Sequence, residues 1–284
     1  MSGQVFAATG PVRVVVDVSG VDLSVRATET TDVSVAVEPH SSRASDADLA
    51  ERTSVGFSDD RLVLRSERTT ASRLRSLFGT GPRVDVYIVV PTGSSLEVRG
   101  WGDVAGIGVL GSVDVDTAMG DVDLDEVGSL RVKVSAGDVR VRDLTGRGDL
   151  RTSAGAIRVG TAHDDVGART SAGDVVVDRG FGSLRLSTSA GDVRVGDAST
   201  SVTARTSAGD IRLDRVRSGA VDAESTYGQL TIGVPEGTAA WLDVQARHGV
   251  VRSDLVASDG PGDAAATVEV RAVAGYGDVV LHRV

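Results

Sequence analysis

Ser135-Ala136-Gly137-Asp138-Val139-Arg140-Val141 decides the fold, because versions of this stretch recur along the chain. Close copies begin at residues 153, 171, 189 and 207, and weaker copies surround Gly102, Gly120, Gly228, Gly249 and Gly277. From Gly102 to Gly228, successive motif glycines are 18, 17, 18, 18, 18, 18 and 19 residues apart. A nearly constant period indicates that each repeat is one structural unit stacked on the next.

Each period contains two sets of alternating aliphatic residues. One set follows the motif glycine by two and four positions, as Val139 and Val141 do. The other set precedes the glycine by seven, five and three positions, as Leu184, Leu186 and Thr188 do. Alternation with a period of two is typical of a β-strand that has one buried face. Each period therefore predicts two short strands.

The spacing of the two sets requires the chain to turn twice in each period. The step from the end of one set to the start of the next is an odd number of residues, both across the motif glycine and between one period and the next. An odd step reverses the face of a straight strand. Both sets reach a common interior only if the backbone bends at Ser-Ala-Gly-Asp, where glycine permits φ > 0, and bends again before the next set. We predict an all-β fold: a single-stranded β-solenoid (β-helix-like) with coils of about 18 residues, each with two short strands and two corners.

One other solenoid with coils of similar length is excluded by the sequence. The left-handed hexapeptide helix needs a small aliphatic residue at every sixth position. Six residues after Ile157 stands His163, and six residues after Val193 stands Ser199. The aromatic content of 3% agrees instead with a narrow interior filled by stacked Val, Leu and Ile.

The sequence predicts two sections. Residues 1–99 form an N-terminal β section and cap with an inserted loop at 67–82, and residues 100–284 form the repetitive solenoid that continues from it. Within the first section, Ser45–Arg52 can form one or two helical turns before a strand at Arg61–Ser66. Residues 268–284 add a final coil.

Composition limits the classes of partner. The net charge of -10 and the pI near 4.9 argue against nucleic acid and against anionic membranes, since both attract basic proteins. There is no cysteine, so thiolate metal sites are excluded. The sequence shows no signal peptide and no apolar run long enough for a membrane helix. We therefore expect a cytoplasmic protein without membrane insertion.

One apolar cluster stands out in the predicted loop. Leu74 is flanked by Arg73 and Arg75, and Leu77 and Phe78 follow directly after Ser76. Leu74, Leu77 and Phe78 are the candidate contact for a partner protein. The loop could also touch a membrane, and the alternative, which we favour, is a flap that folds back onto the solenoid or its open end.

The chain resembles the bacterial putative-adhesin family of β-strand-repeat domains. The resemblance lies in Val86-Tyr-Ile-Val-Val-Pro91, in the Gly-Asp-Val repeats, and in Gly275-Tyr-Gly-Asp-Val279 near the C-terminus, and it covers nearly the whole chain. It implies a β-helix-like fold and a role in adhesion or in scaffolding at the cell envelope. It supplies no catalytic residues.

Two rows of polar residues have alternative interpretations. The motif aspartates could bind calcium, but calcium needs about six to eight oxygen ligands, and each period offers one carboxylate. We expect them instead to accept backbone hydrogen bonds at the corners, with their repulsion offset by Arg140, Arg194 and Arg212. The aligned Thr and Ser residues could present a flat surface to a polymer, or could form hydrogen-bonded ladders that stabilise a corner, which we favour.

No catalytic, cofactor or metal site is predicted. The four histidines, at positions 40, 163, 248 and 282, are far apart in sequence, and neither a nucleophile elbow nor a phosphate-binding loop occurs. We expect a non-enzymatic scaffold or protein-interaction module that binds itself or another protein and needs no cofactor. The alternative is a surface adhesin that binds polysaccharide or another cell-surface polymer.

Overall fold

The structure, a computed structural model, describes residues 3–66, 81–255, 264 and 266–284. It is 70% strand and 3% helix, which confirms the all-β class. The chain divides into two compact units, residues 1–141 and 142–284. No helix in the described ranges has the length and hydrophobicity needed to cross a bilayer.

The first unit contains ten whole strands and one helix among its described residues. They are β1 Gln4–Ala7, β2 Arg13–Val18, β3 Val21–Thr28, β4 Asp32–Pro39, α1 Ala44–Arg52, β5 Thr53–Ser58, β6 Arg61–Ser66, β7 Val84–Pro91, β8 Ser95–Gly100, β9 Val104–Met119 and β10 Val122–Ala136. Strand β11, Val139–Leu144, contains the boundary between the units.

The described part of the second unit contains fourteen further strands. They are β12 Gly148–Arg151, β13 Ile157–Ala162, β14 Val166–Arg169, β15 Val175–Gly180, β16 Leu184–Ala190, β17 Val193–Ala198, β18 Val202–Ala208, β19 Ile211–Val216, β20 Gly219–Tyr227, β21 Leu230–Val234, β22 Thr238–His248, β23 Val251–Ser253, β24 Ala266–Tyr276 and β25 Val279–Arg283.

The first unit departs from the repeat mainly near the N-terminus. Strands β2, β6 and β8 pair in parallel, as do β3, β7, β9 and β10, whereas β1, β4 and β5 pair antiparallel with their neighbours. The predicted helical turns form α1, which buries Leu49. Strand β5 was not predicted, and its Phe57 stacks on Phe6 of β1 at 5.1 Å between ring centroids.

The one 17-residue spacing is absorbed at the second corner of its coil. Val122 to Leu124 of β10 pair with residues 18 positions earlier in β9, whereas Glu126 and the residues after it pair with residues 17 positions earlier. The sequence predicts that a strand ends at this corner. Instead, the pairing register shifts between Leu124 and Glu126, and β9 and β10 continue through the corner as long strands. The corner glycines and both aliphatic sets therefore remain aligned.

The second unit shows the predicted solenoid directly. Ile157, Val175, Val193, Ile211 and Leu230 pair one above another in parallel register and have no exposed surface. The second aliphatic set stacks in the same way in β14, β16, β18 and β20. The prediction of two inward-facing strands per coil, stacked with like residues in contact, is confirmed.

The last coils do not stack in the order of the sequence. Strand β24 lies between β20 and β22, pairing in parallel with both, and β25 lies in the same way between β21 and β23. The coil around Gly277 is thus inserted between those around Gly228 and Gly249. The expectation that residues 268–284 simply add a final coil was wrong in this respect. In the described structure, the outermost strands here are β22 and β23.

Candidate interaction surface

The motif aspartates form a ladder along the corners. Asp103 Oδ1 accepts a hydrogen bond from the Asp121 N–H at 2.9 Å, and Asp121 Oδ1 accepts one from the Asp138 N–H at 2.8 Å. In the second unit, Asp192 Oδ1 accepts from the Asp210 N–H at 2.8 Å. Backbone hydrogen bonding, the favoured interpretation, is confirmed, although the donor lies in the neighbouring coil. These carboxylates have a structural task that needs no calcium.

The arginines on the outer face pair with acids, but not all as expected. Arg140 Nη2 lies 2.5 Å from Asp138 Oδ2, as predicted. Arg194 and Arg212 instead pair with Asp214, at 2.9 and 2.5 Å. They contact this acid because Asp214 also faces outward, just beyond the second inward residue of its coil. Burial raises the pKa of Asp214, but hydrogen bonds from the two guanidinium groups outweigh burial and lower it below 3.8.

The two hydroxyl rows have different environments. Thr170, Thr188 and Thr206 are buried, and each Oγ1 donates to the carbonyl of the motif glycine 15 residues earlier, at 3.0, 2.9 and 3.0 Å. These bonds satisfy carbonyls at a tight corner, so the threonine ladder is structural, as favoured. The neighbouring serines at 153, 171, 189 and 207 are exposed.

One histidine lies in a cluster that sequence spacing did not reveal. His40 Nδ1 is 2.8 Å from Asp85 Oδ1 and 3.3 Å from Asp22 Oδ2, so three possible metal ligands converge. Arg83 Nη2 also lies 2.5 Å from Asp22 Oδ1, which accepts the Asp103 N–H as well. Because a guanidinium already balances this carboxylate and a metal would have to displace it, the geometry fits an ion-pair network better than a metal site.

Aromatic residues replace alanine at the corners of the last coils. The residue before the motif glycine is Ala208 one coil earlier, but Tyr227, Tyr276 and His248 follow it in spatial order. The two tyrosine rings stack at 5.0 Å between centroids, and His248 stacks on Tyr276 at 4.5 Å. Both tyrosines are about half exposed. This aromatic ladder is an outward feature of the final three coils.

Exposed apolar residues collect on the outermost strands of the second unit. Trp241 is 62% exposed, Val250 52% and Val251 43%, and Leu242 is also exposed. We call Trp241–Val251, with the free side of strand β22, the β22 edge. Apolar residues so exposed at the end of a stack are typical of a surface that another molecule covers.

The predicted contact residues Leu74, Leu77 and Phe78 lie at positions 67–80, outside the described residues. Their role as a partner contact stays a prediction. The β22 edge was not predicted as a contact.

Comparison with known families decides the relationship. The family model described as Toastrack DUF4097 matches residues 12–281, which is nearly the whole chain. The chain belongs to the Toastrack DUF4097 family. The resemblance to adhesin-like β-strand repeats found in the sequence is thereby confirmed.

Solved structures similar to this Toastrack chain are distant in sequence. A putative adhesin from Bacteroides fragilis shares 13% identity with a TM-score of 0.43, covering 100% of this chain and 96% of the other. A putative adhesin from Parabacteroides distasonis shares 14% identity with a TM-score of 0.35 and the same coverage. One from Parabacteroides merdae shares 14% identity with a TM-score of 0.33, covering 99% and 95%. No curated protein matches the sequence.

The sequence of this Toastrack domain did contain a signal for the end of the stack. From Gly137 to Gly209 the residue before the motif glycine is alanine in all five copies, and it changes to tyrosine or histidine in the copies around Gly228, Gly249 and Gly277. In residues 238–248, polar residues continue to alternate along the outward face as in earlier coils. One of these outward positions, however, is occupied by Trp241. A tryptophan on an outward position marks a change of environment that periodicity alone does not register.

Proposed function

We propose that this chain is a non-enzymatic β-solenoid module of the cytoplasm that binds protein through the β22 edge. The observation that carries the proposal is the exposure of Trp241, Leu242, Val250 and Val251 on the outermost described strands and the link between them. Interfaces are enriched in aromatic residues, and the β22 edge exposes Trp241 beside aliphatic side chains.

The repeated polar residues support the non-enzymatic part of the proposal. The motif aspartates accept backbone hydrogen bonds, the threonines donate to corner carbonyls, and many outward arginines pair with acids. A hydrolytic site would need acids held in a geometry of their own, with shifted pKa values. The described acids that form these rows are used in holding the coils together.

The test is affinity capture with matched variants. The purified chain, the variant Trp241→Ala/Val250→Ser and the control Tyr87→Ala are immobilised and exposed to native lysate. Tyr87 is also a half-exposed aromatic residue, but it lies on β7 of the first unit. We expect capture by the wild type and the control and loss of capture by the β22 variant. Equal capture by all three would contradict the role of this edge. Deleting residues 70–80 tests Leu74, Leu77 and Phe78 separately.

A second candidate function is binding of polysaccharide as a surface adhesin. The observation that favours it is the half-exposed Tyr227–Tyr276 pair, because tyrosine offers sugars both an apolar ring and a hydroxyl. The family resemblance points the same way. Glycan-array binding that is lost in Tyr227→Ala/Tyr276→Ala, together with a cell-surface location on fractionation, would favour this function. A strictly cytosolic pool would count against it.

A further inference from the structure

We propose that two copies of this chain associate through their β22 edges, with the two β22 strands paired antiparallel about a two-fold axis at Gln245. The inference rests on the proposed function of the β22 edge and identifies the partner as a second copy of the chain.

In the part of the chain that the structure describes, the side of β22 away from β24 is an unfinished layer of the solenoid. Leu242, Val244 and Ala246 align in register with residues 270, 272 and 274 of β24, which are fully buried. Leu242 is 36% exposed, so the inward row continues to the edge without the next layer that covers it elsewhere. Among the described strands, β22 pairs only with β24, and its other side offers backbone groups to another strand.

Residues opposite one another in an antiparallel pair lie on the same face of the sheet. If the inward rows of both copies are to stay on the inward face, the two-fold axis must therefore place one residue directly opposite the same residue of the other copy. An axis at Asp243 would bring two aspartates together, and an axis at Val244 would place Asp243 opposite Gln245. An axis at Gln245 places Asp243 of each copy opposite Arg247 of the other. Only this choice among them makes two pairs of opposite charge, so the strand is self-complementary in this register.

Side-chain volumes agree with the same register. On the inward face, Val244 lies opposite Ala246. On the outward face, Trp241 reaches the position opposite Gly249, where the absent side chain leaves room for its ring. The contact would cover the most exposed aromatic side chain on the edge.

A two-fold contact would also prevent the edge from adding chains into a fibre. The same surface is used on both copies, so the assembly closes at two chains. Regular parallel coils with an open end would otherwise add further chains indefinitely.

Sedimentation velocity and light scattering of the full chain over a range of concentration test the proposal. We expect a dimer, and we expect Arg247→Asp to raise the dissociation constant at least about 10-fold. Asp243→Arg should do the same, and the double variant Asp243→Arg/Arg247→Asp should return to within a few-fold of the wild type. Asp243 also lies beside Arg271 in register, so Arg247→Asp is the primary single variant.

Arg158→Asp is the matched control, because it makes the same charge change on an exposed residue of β13. A chain that stays monomeric at about 100 μM would overturn the proposal. So would a dimer that neither charge reversal weakens, or a double variant no better than the singles. If the chain is monomeric but the β22 variant still loses capture from lysate, the dimer fails and the proposed function stands. If both fail, the β22 edge has neither role.

Discussion

Val175 shows what one inward position contributes at the scale of a single residue. It has no exposed surface and stacks between Ile157 and Val193. Replacing it with Asp places a carboxylate in an apolar row without a partner, so we expect Val175→Asp to lower the free energy of unfolding by several kcal/mol. Urea denaturation measures the change.

The control for this variant is Arg158→Ala, which removes an outward side chain one residue after Ile157. We expect it to change the free energy of unfolding by about 0.5 kcal/mol or less. Equal stabilities for the two variants would mean that the inward and outward faces are assigned the wrong way round.

Asp214 links a single side chain to the dependence of stability on pH. The two arginines lower its pKa in the folded chain relative to 3.8, its value without partners. A carboxyl whose folded pKa is lower stabilises the fold above its unfolded pKa, and this contribution is lost as pH falls through the folded pKa. We expect Asp214→Asn to be less stable than the wild type near about pH 6, with the difference closing as pH falls below 3.8 and through the lower folded pKa.

Urea denaturation at several pH values measures this difference. Thr231→Ala, a change at a partly buried neutral residue of β21, should show an effect that does not vary with pH. A gap between Asp214→Asn and wild type that persists unchanged at low pH would contradict the assigned ion pairs.

At the scale of an element, the corner between two strands is the least tolerant part of each coil. Gly191 has φ +142°, and a Cβ there would lie 2.2 Å from the carbonyl oxygen of Gly173 in the neighbouring coil. An alanine must therefore displace backbone as well as adopt a strained conformation. We expect Gly191→Ala to lower the free energy of unfolding by more than about 2 kcal/mol, measured by chemical denaturation.

Gly237→Ala separates the two causes. Gly237 also has a positive φ, of +76°, but nothing lies within 4 Å of a Cβ built there. We expect a cost of about 1 kcal/mol from conformation alone. If the two alanine variants were equally destabilised, close stacking of the corners would have no energetic role.

The second corner is more tolerant, which explains the irregular period. The short coil loses its residue between Leu124 and Glu126. The long coil gains one after Val216: Ala198 pairs with Val216, 18 residues on, but Val202 pairs with Val221, 19 residues on. Both changes avoid the Ser-Ala-Gly-Asp corner, where adjacent backbones are in contact.

At the scale of the whole molecule, the part of the fold that repeats could be predicted, and the part that does not repeat could not. The inward rows follow from spacing because every coil makes the same contacts. The position of β24 between β20 and β22 depends on which coil packs better against β20, and no local pattern encodes that choice. The same holds for His40, which meets Asp22 and Asp85 only through long-range strand pairing.

The inserted coil leads to a prediction about truncation. Removing residues 266–284 deletes β24 and β25, the strands on which β22 and β23 rest. Because each coil is stabilised mainly by its neighbours, we expect residues 142–216 to stay folded while amide hydrogens in residues 238–253 lose protection from exchange. Hydrogen exchange with mass spectrometry measures both. Continued protection of 238–253 would show that β22 can stack directly on β20.

The position of β24 also affects the order in which the last coils can stack while the chain is being synthesised. A ribosome releases the coil around Gly249 before the strand that must separate it from the coil around Gly228. The growing chain has to hold β22 away from β20 until β24 emerges, or else displace it afterwards. This end of the stack is therefore completed only once β24 and β25 have emerged, later than the strands that lie outside them.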